Sequence, residues 1–537
     1  MKLKFYYPFS IGLLHSALFF PHHLIAKDVS SEILNGKINL DQVERQNRPK
    51  RSQDPYFKQN QTSKDIFLNN FNKTNSNTIS DDQSISAITC MTEEEAVITN
   101  ARYLNKDVIW GRPKSLLMGN LPGAGPEQKP NLYPDKSSTY FVANIRLPFG
   151  AKLILNGQFP HARYLSFTIA NQLGGGQLGN GTFIRGDQIV PDEGSFNPFL
   201  SYNKRDMNPR NFTLHVVHGF QPQNPEPNTL YIGNHATKHE RIHLAMRTYL
   251  ADEGYDGTGN VELYAKEGNG LPLVTLVLPD GERLTGPQLV DILDARKEGD
   301  PNGYQLDQWL TLVANSKNPE LAPVPFEPFA QVFWNTNYSV TGSFELNPEK
   351  RVKDYPPSDD GGFASNPDTR YMTIPFYLQQ EKVFVIRGKM PTHPRTRRGE
   401  TTLPVDPQVQ YFSVSTAAAP PYGAGWDTVC DEQIPVDENG YYTIVVSWPW
   451  YRPKNATREN GIAWLSPGDG EGHFLGARIW VGLLYIRYQN SSPNWAESPM
   501  NIPQPTVEEP FPQDERIMGP YYPRGKYMST AEFEANY

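Results

Sequence analysis

The chain is poor in cysteine, with two in 537 residues, Cys90 and Cys430. Two cysteines exclude a Cys-rich metal framework and leave room for a single disulfide. Positive charge is not in excess either: 50 Lys and Arg stand against 58 Asp and Glu, a net charge of −8. That excludes a general affinity for nucleic acid, because phosphate binding needs a basic field. Clean apolar runs of the ~20 residues that a membrane-spanning helix needs are missing. Missing too are a G-x-S-x-G nucleophile elbow and a Gly-rich phosphate loop ending in Lys-Ser/Thr.

Glycine and proline are plentiful, at 42 and 48 residues, and aromatics make up 12% of the chain. Gly and Pro disfavour long helices, so the composition excludes coiled coils and helical bundles. It fits many short strands joined by turns. The length suggests two to four folded units.

The front of the chain differs from the rest. Lys2 and Lys4 precede a mostly apolar stretch, Phe5 to Phe20, followed by Pro21 and the small Ala26. This is the pattern of a secretory signal peptide over 1–26. The expected location is therefore periplasmic, cell-surface or extracellular. Residues 27–90 are rich in Asn, Gln, Ser, Lys and Asp. Such a segment buries too little surface to offset its ordering entropy and reads as a disordered polar spacer. In an exported chain, Cys90 and Cys430 are candidates to form a disulfide.

The strongest organisational signal is an internal duplication. Tyr140–Pro160 matches Tyr371–Pro391, with Gly157 and Pro160 answering Gly388 and Pro391. Four further pairs follow in the same order: 163–167 with 410–414, 187–189 with 432–434, 212–217 with 442–447, and 244–249 with 484–488. The repeated pieces alternate and are rich in Val, Ile, Tyr and Phe, as strands with one buried face are. The expectation is a mainly β protein of two tandem, related, antiparallel β-sandwich domains of jelly-roll type, 91–280 and 331–490. Between them, a helical insert and Pro-rich linker occupy 281–330. Apolar spacing of 3.6 type predicts helices over 287–295 and 304–314, with Thr285 as a cap. A Pro/Tyr-rich tail, 491–537, closes the chain.

Two motifs invite chemistry. His239-Glu240-Arg241-Ile242-His243 is H-E-x-x-H, a zinc-peptidase signature when it is helical. His239 and His243 would be the metal ligands and Glu240 the base. The duplication instead places His243 at the start of a strand, where residues four apart are separated by ~13 Å, too far to share one zinc. Gly174-Gly175-Gly176-Gln177-Leu178-Gly179 matches G-x-G-x-x-G, but no helix is expected to follow it, so it reads as a turn.

Candidate binding residues fall into two groups. Arg163 and Arg247 would point into one pocket, pairing with an anionic ligand or with Asp187, and Tyr164 lies on the neighbouring face of the same strand. Trp334 with Asn335, and Trp450 with its aromatic neighbours, have the rings and amides that sugar-binding surfaces use. The bland alternatives are structural ion pairs for the arginines and core packing for the aromatics.

The patterns Arg163-Tyr164-x-Ser166, Gly440-x-x-Thr443-Ile444, Ala463-Trp464-Leu465 and Leu484-x-x-Arg487-Tyr488 resemble a bacterial secreted family of tandem β-rich domains with no established function. The ending Met518-Gly519-Pro520-Tyr521-Tyr522-Pro523 resembles a related branch. The resemblance spans about 100–530. It implies tandem β-sandwiches and export, and it implies neither a catalytic residue nor a cofactor. The functional expectation is non-catalytic binding of a carbohydrate or small ligand at the cell envelope. The alternatives are a hydrolase, with the H-E-x-x-H zinc peptidase as its sharpest form, and a structural surface protein.

Overall fold

The structure, a computed structural model, describes most of residues 135–537. Outside the description lie 1–134, 136, 174–176, 180–181, 234–241, 256–269, 294–328, 336–337, 340–341, 343–344, 346, 359–366, 379–380, 419–424, 468–472, 475–476, 479–480 and 511–512. The expected signal peptide, the polar spacer, Cys90, His239, Glu240, the 304–314 helix and the 318–328 linker all fall there. The described residues belong to one compact unit within Thr74–Tyr537.

Among the described residues the first sandwich has ten strands. These are β1 (Ser138–Ile145), β2 (Lys152–Gln158), β3 (Ala162–Leu173), β4 (Gln177–Gly179), β5 (Phe183–Arg185), β6 (Asn211–Val217), β7 (Thr229–Tyr231), β8 (Ile242–Ala251), β9 (Leu273–Val277) and β10 (Arg283–Leu284). One sheet has the order β1-β8-β3-β4, with β5 also on β3, and the other β10-β9-β2-β6-β7. Phe141, Leu165, Phe167 and Met246 of the first sheet share one core with Leu153, Leu155, Phe212 and Leu214 of the second. The helix α1 (Gly286–Leu293) lays Leu289 and Leu293 on this core, as the apolar spacing around 287–295 predicts.

The second sandwich repeats the plan. Its strands are β11 (Gln331–Val332), β12 (Thr369–Tyr377), β13 (Lys382–Lys389), β14 (Tyr411–Ala418), β15 (Gly425–Cys430), β16 (Tyr441–Val446), β17 (Ala463–Leu465), β18 (His473–Phe474), β19 (Ala477–Arg478), β20 (Val481–Gln489) and β21 (Arg524–Ser529). The orders are β11-β12-β20-β14-β15 and β17-β16-β13-β21, with β18 and β19 as a separate hairpin. The core β1-β8-β3-β5 thus answers β12-β20-β14-β15, and β9-β2-β6-β7 answers β21-β13-β16-β17. Even the parallel pair recurs, β6 with β7 and β16 with β17.

Two repeated residues have local reasons. Gly157 faces Phe212 across β2 and β6, and Gly388 faces Tyr442 across β13 and β16. A Cβ on Gly157 would sit 2.5 Å from Phe212 Cζ, and one on Gly388 2.7 Å from Tyr442 Oη. Each glycine leaves room for a buried ring to lie over the strand. In both copies a Gln follows the strand: Gln188 Oε1 accepts from Arg185 N at 3.0 Å, and Gln433 Oε1 from Cys430 N at 3.1 Å. The Gln-Ile pair of the repeat is therefore a turn device, and Ile189 and Ile434 fill the two cores.

The tail departs from the sequence expectation. Instead of lying outside the second sandwich, it supplies the edge strand β21, paired with β13. Met518, Tyr522 and Phe533 are buried. Pro-rich segments masked this short alternating strand, whose only strong apolar residue is Met528.

Candidate functional site: a polar layer between the sandwiches

Each sandwich turns one face of its first-named sheet away from its own core. In antiparallel pairs, residues in register share a face. On the first sheet this outer face carries Arg247, Ser166 and Arg185 in one row, with Ser138, Tyr249 and Tyr164 in the next. On the second it carries Tyr371, Arg487, Ser413 and Cys430, then Thr369, Gln489 and Tyr411. The duplication thus sets an Arg-Ser pair in one row on both sheets. These faces are polar, yet Ser166, Arg247, Ser413, Arg487 and Gln489 are buried.

They are buried because the sandwiches meet there. Tyr249 packs its ring on Tyr411 at 5.3 Å and on Tyr164 at 5.4 Å. Tyr164, Tyr249, Leu250, Tyr411 and Cys430 form a small apolar cluster across the junction. Asp135, just before β1, sends Oδ2 to the second sheet. There it accepts from Ser413 Oγ at 2.5 Å, Arg487 Nη1 at 2.9 Å and Tyr411 Oη at 3.0 Å. Asp368, just before β12, answers toward the first sheet. Its Oδ2 accepts from Tyr164 Oη at 2.5 Å and its Oδ1 from Gln489 Nε2 at 2.6 Å. Burial pushes the Asp368 carboxyl up to about 6, against the opposing pull of Tyr164, Arg185, Gln489 and Arg247. Burying a carboxylate is costly unless it is paired or hydrogen-bonded, which accounts for the donors gathered around each.

Arg163 is fully buried and belongs to the junction: Nη1 donates to Asp431 at 2.6 Å, Nη2 to Glu432, and Nε to Thr396 Oγ1 at 3.2 Å. Burial alone would lower its pKa, but Asp431 and Glu432 outweigh that and raise it. It is a structural ion pair between the sandwiches. Arg163 and Arg247 do not share a pocket, because strand alternation puts Arg247 on the face of Tyr164 and Ser166 and leaves Arg163 on the other. Asp187 is taken by Arg185, at 2.9 and 3.1 Å. Arg247 Nη1 donates to Thr168 Oγ1 at 2.8 Å. Tyr164 grips Asp368.

Trp334 is core, 4% exposed, with the Arg370 guanidinium 4.8 Å over its ring. Asn335 is structural too: its amide donates to Pro356 O and Ser358 Oγ, and its carbonyl accepts from Tyr338 N. Trp450 is different. It is 47% exposed and lies flat on Trp448, with rings 3° from parallel and 5.4 Å apart. His243 is the second residue of β8, in register with Asn144 and Ala170. The helix that H-E-x-x-H requires is therefore absent over 242–251. Cys430 is buried and disulfide-bonded, and Cys90 is the chain's only other cysteine.

Sequence reasoning missed Asp135 and Asp368. Asp135 stands three residues before β1 and Asp368 one residue before β12, both outside the matched segments. Ser166 and Ser413 were aligned in the repeat, but a serine within an alternating strand carries no signal of what it bonds.

No family model matches the chain, and no curated protein matches it. Among solved structures it is similar to an uncharacterised protein from Burkholderia cenocepacia, at 12% identity and a TM-score of 0.41, over 94% of this chain and 99% of that one. It is also similar to a protein from Vibrio parahaemolyticus, at 11% identity and a TM-score of 0.31, over 74% of this chain and 90% of that one.

Proposed function

We propose that this is an exported, envelope-associated protein that binds a small ligand without chemistry, in the polar layer between its two sandwiches. The observation that carries the reading is Ser166. Its side chain is completely buried, and its Oγ has no hydrogen-bond partner among the described residues. A buried hydroxyl without a partner costs about 1–3 kcal/mol. On this reading a ligand group supplies the missing partner, held beside the in-register Arg247. Export is supported by the charged-then-apolar N-terminus and by the disulfide at Cys430, since such bonds persist in oxidising compartments.

Trp450 favours a second reading, carbohydrate binding at the surface. A flat ring backed by Trp448 and edged by Tyr451 offers a rigid platform for a pyranose face.

Hydrogen exchange of the purified protein tests both, across a library of polar small molecules and oligosaccharides. Ligand-dependent protection of β3, β8, β14 and β20 supports the layer. Protection confined to 448–452 supports the second reading instead. If no compound protects either region, binding as a function is wrong.

A further inference from the structure

We infer that Ser166 and Arg247 form a receptor for the carboxylate of a small ligand, an inference that rests on the layer being the binding site. The second repeat shows what this constellation holds. Ser413 and Arg487 occupy the positions of Ser166 and Arg247, and together with Tyr411 they place three donors on one carboxylate oxygen, Asp135 Oδ2. That carboxylate comes from the other sandwich, so relative to the second sheet it is a docked anion.

The first repeat presents the same set with a different outcome. Tyr164, the counterpart of Tyr411, donates to Asp368. The rest of Asp368's hydrogen bonding goes to Gln489, a residue of the second sandwich. Ser166 Oγ donates to nothing among the described residues, although it is wholly buried. Arg247 reaches one row along β3 to Thr168 Oγ1, keeping its guanidinium beside the serine's row. Asp368 therefore takes a hydrogen bond from the tyrosine of the duplicated trio and leaves the serine hydroxyl unused. A carboxylate between Ser166 Oγ and the Arg247 guanidinium reproduces the Asp135 arrangement. Charge-assisted bonds of this kind are about twice as strong as neutral ones, which favours an anion over a neutral hydroxyl.

The site also carries its own pH signature. Tyr164, Gln489, Arg185 and Arg247 face Asp368, whose carboxyl is raised to about 6 by burial. Above that pH a charged Asp368 opposes a second carboxylate nearby, so ligand affinity falls as pH rises through 6.

The test is calorimetry on the full chain with acetate and succinate as probes, and with inorganic phosphate and a neutral sugar as comparators. Wild type binds a carboxylate probe, more tightly at pH 5.5 than at pH 7.5. Ser166→Ala weakens that binding about tenfold and does not lower the thermal midpoint of the ligand-free protein, because it removes a buried hydroxyl that has no partner among the described residues. Gly157→Ala, which crowds Phe212 in the first core away from the layer, lowers the midpoint and leaves affinity intact. The inference is overturned if neither carboxylate binds, or if Ser166→Ala binds like wild type. If a neutral sugar binds and Ser166→Ala abolishes it, the carboxylate class is overturned while the layer stands as the site. If no probe binds and exchange shows no protection of the layer strands, both fall.

Discussion

Tyr164 of the first sandwich donates its hydroxyl to Asp368 at the foot of the second, at 2.5 Å, and Tyr411 of the second returns the bond to Asp135 of the first. The two tyrosines occupy equivalent places in the duplication, so the repeats grip each other reciprocally. Tyr411→Phe removes one of the three donors to Oδ2 of a fully buried carboxylate. We expect a loss of about 1–3 kcal/mol in guanidinium unfolding. A double-mutant cycle with Asp135→Asn should show coupling between the two changes.

The raised Asp368 carboxyl sets a pH dependence. In the unfolded chain this group titrates near 3.9, and in the folded chain at about 6. Between roughly pH 4 and 6 the folded state therefore holds a proton that the unfolded state has lost. Stability from this group is full below pH 4 and is lost as pH rises through 6, on the order of 2–3 kcal/mol. Asp514, raised to about 6 by burial beneath Val332 N, acts in the same sense. Denaturation midpoints across pH 4–7 should fall, less steeply in Asp368→Asn and least in the double variant with Asp514→Asn.

Arg163 tests the ion-pair assignment. Arg163→Met strands Asp431 and Glu432 in the interior and should cost about 3–5 kcal/mol. Adding Asp431→Asn and Glu432→Gln removes the stranded charges and should recover more than half of that loss. Chemical denaturation of the single and triple variants distinguishes this from a ligand-contacting arginine, whose loss would change binding and spare stability.

The aromatic candidates separate in the same way. Trp334→Ala empties a core site and should cost about 3–5 kcal/mol. Trp450→Ala removes a half-exposed ring and should change stability by less than about 1 kcal/mol. Only the second is expected to alter glycan binding, read on an array.

Gly157→Ala drives a methyl into the Phe212 ring and should cost about 1–3 kcal/mol. Phe212→Leu added to it should restore part of the loss, and unfolding curves of the two variants check this.

The duplication was readable because strand alternation, the glycine under each ring and the Gln-Ile turn are all local devices. Gly157 and Gly388, or Gln188 and Gln433, do their work on neighbours that their own repeat supplies. The junction was not readable in the same way. Arg163 meets Asp431 and Glu432 across about 270 positions, and Asp135 meets Arg487 across 352. Which carboxylate meets which arginine depends on how the sheets stack, and the strand pattern is silent on that. Period-two alternation did place Tyr164 and Ser166 on one face. It also opposed Arg163 to Arg247, once the register of β3 with β8 was known. The short strand β21 was hidden by the Pro-rich segments around it.

On this reading the duplicated serine and arginine of the first repeat receive a carboxylate. Anomalous diffraction from crystals soaked with 4-bromobenzoate and with smaller bromine-labelled carboxylates tests it most directly. The expected result is a bromine peak in the polar layer, with the carboxylate within hydrogen-bond distance of Ser166 Oγ and the Arg247 guanidinium. Bromine only at the surface, with Ser166 Oγ satisfied by the protein or a fixed water in every crystal, would contradict it.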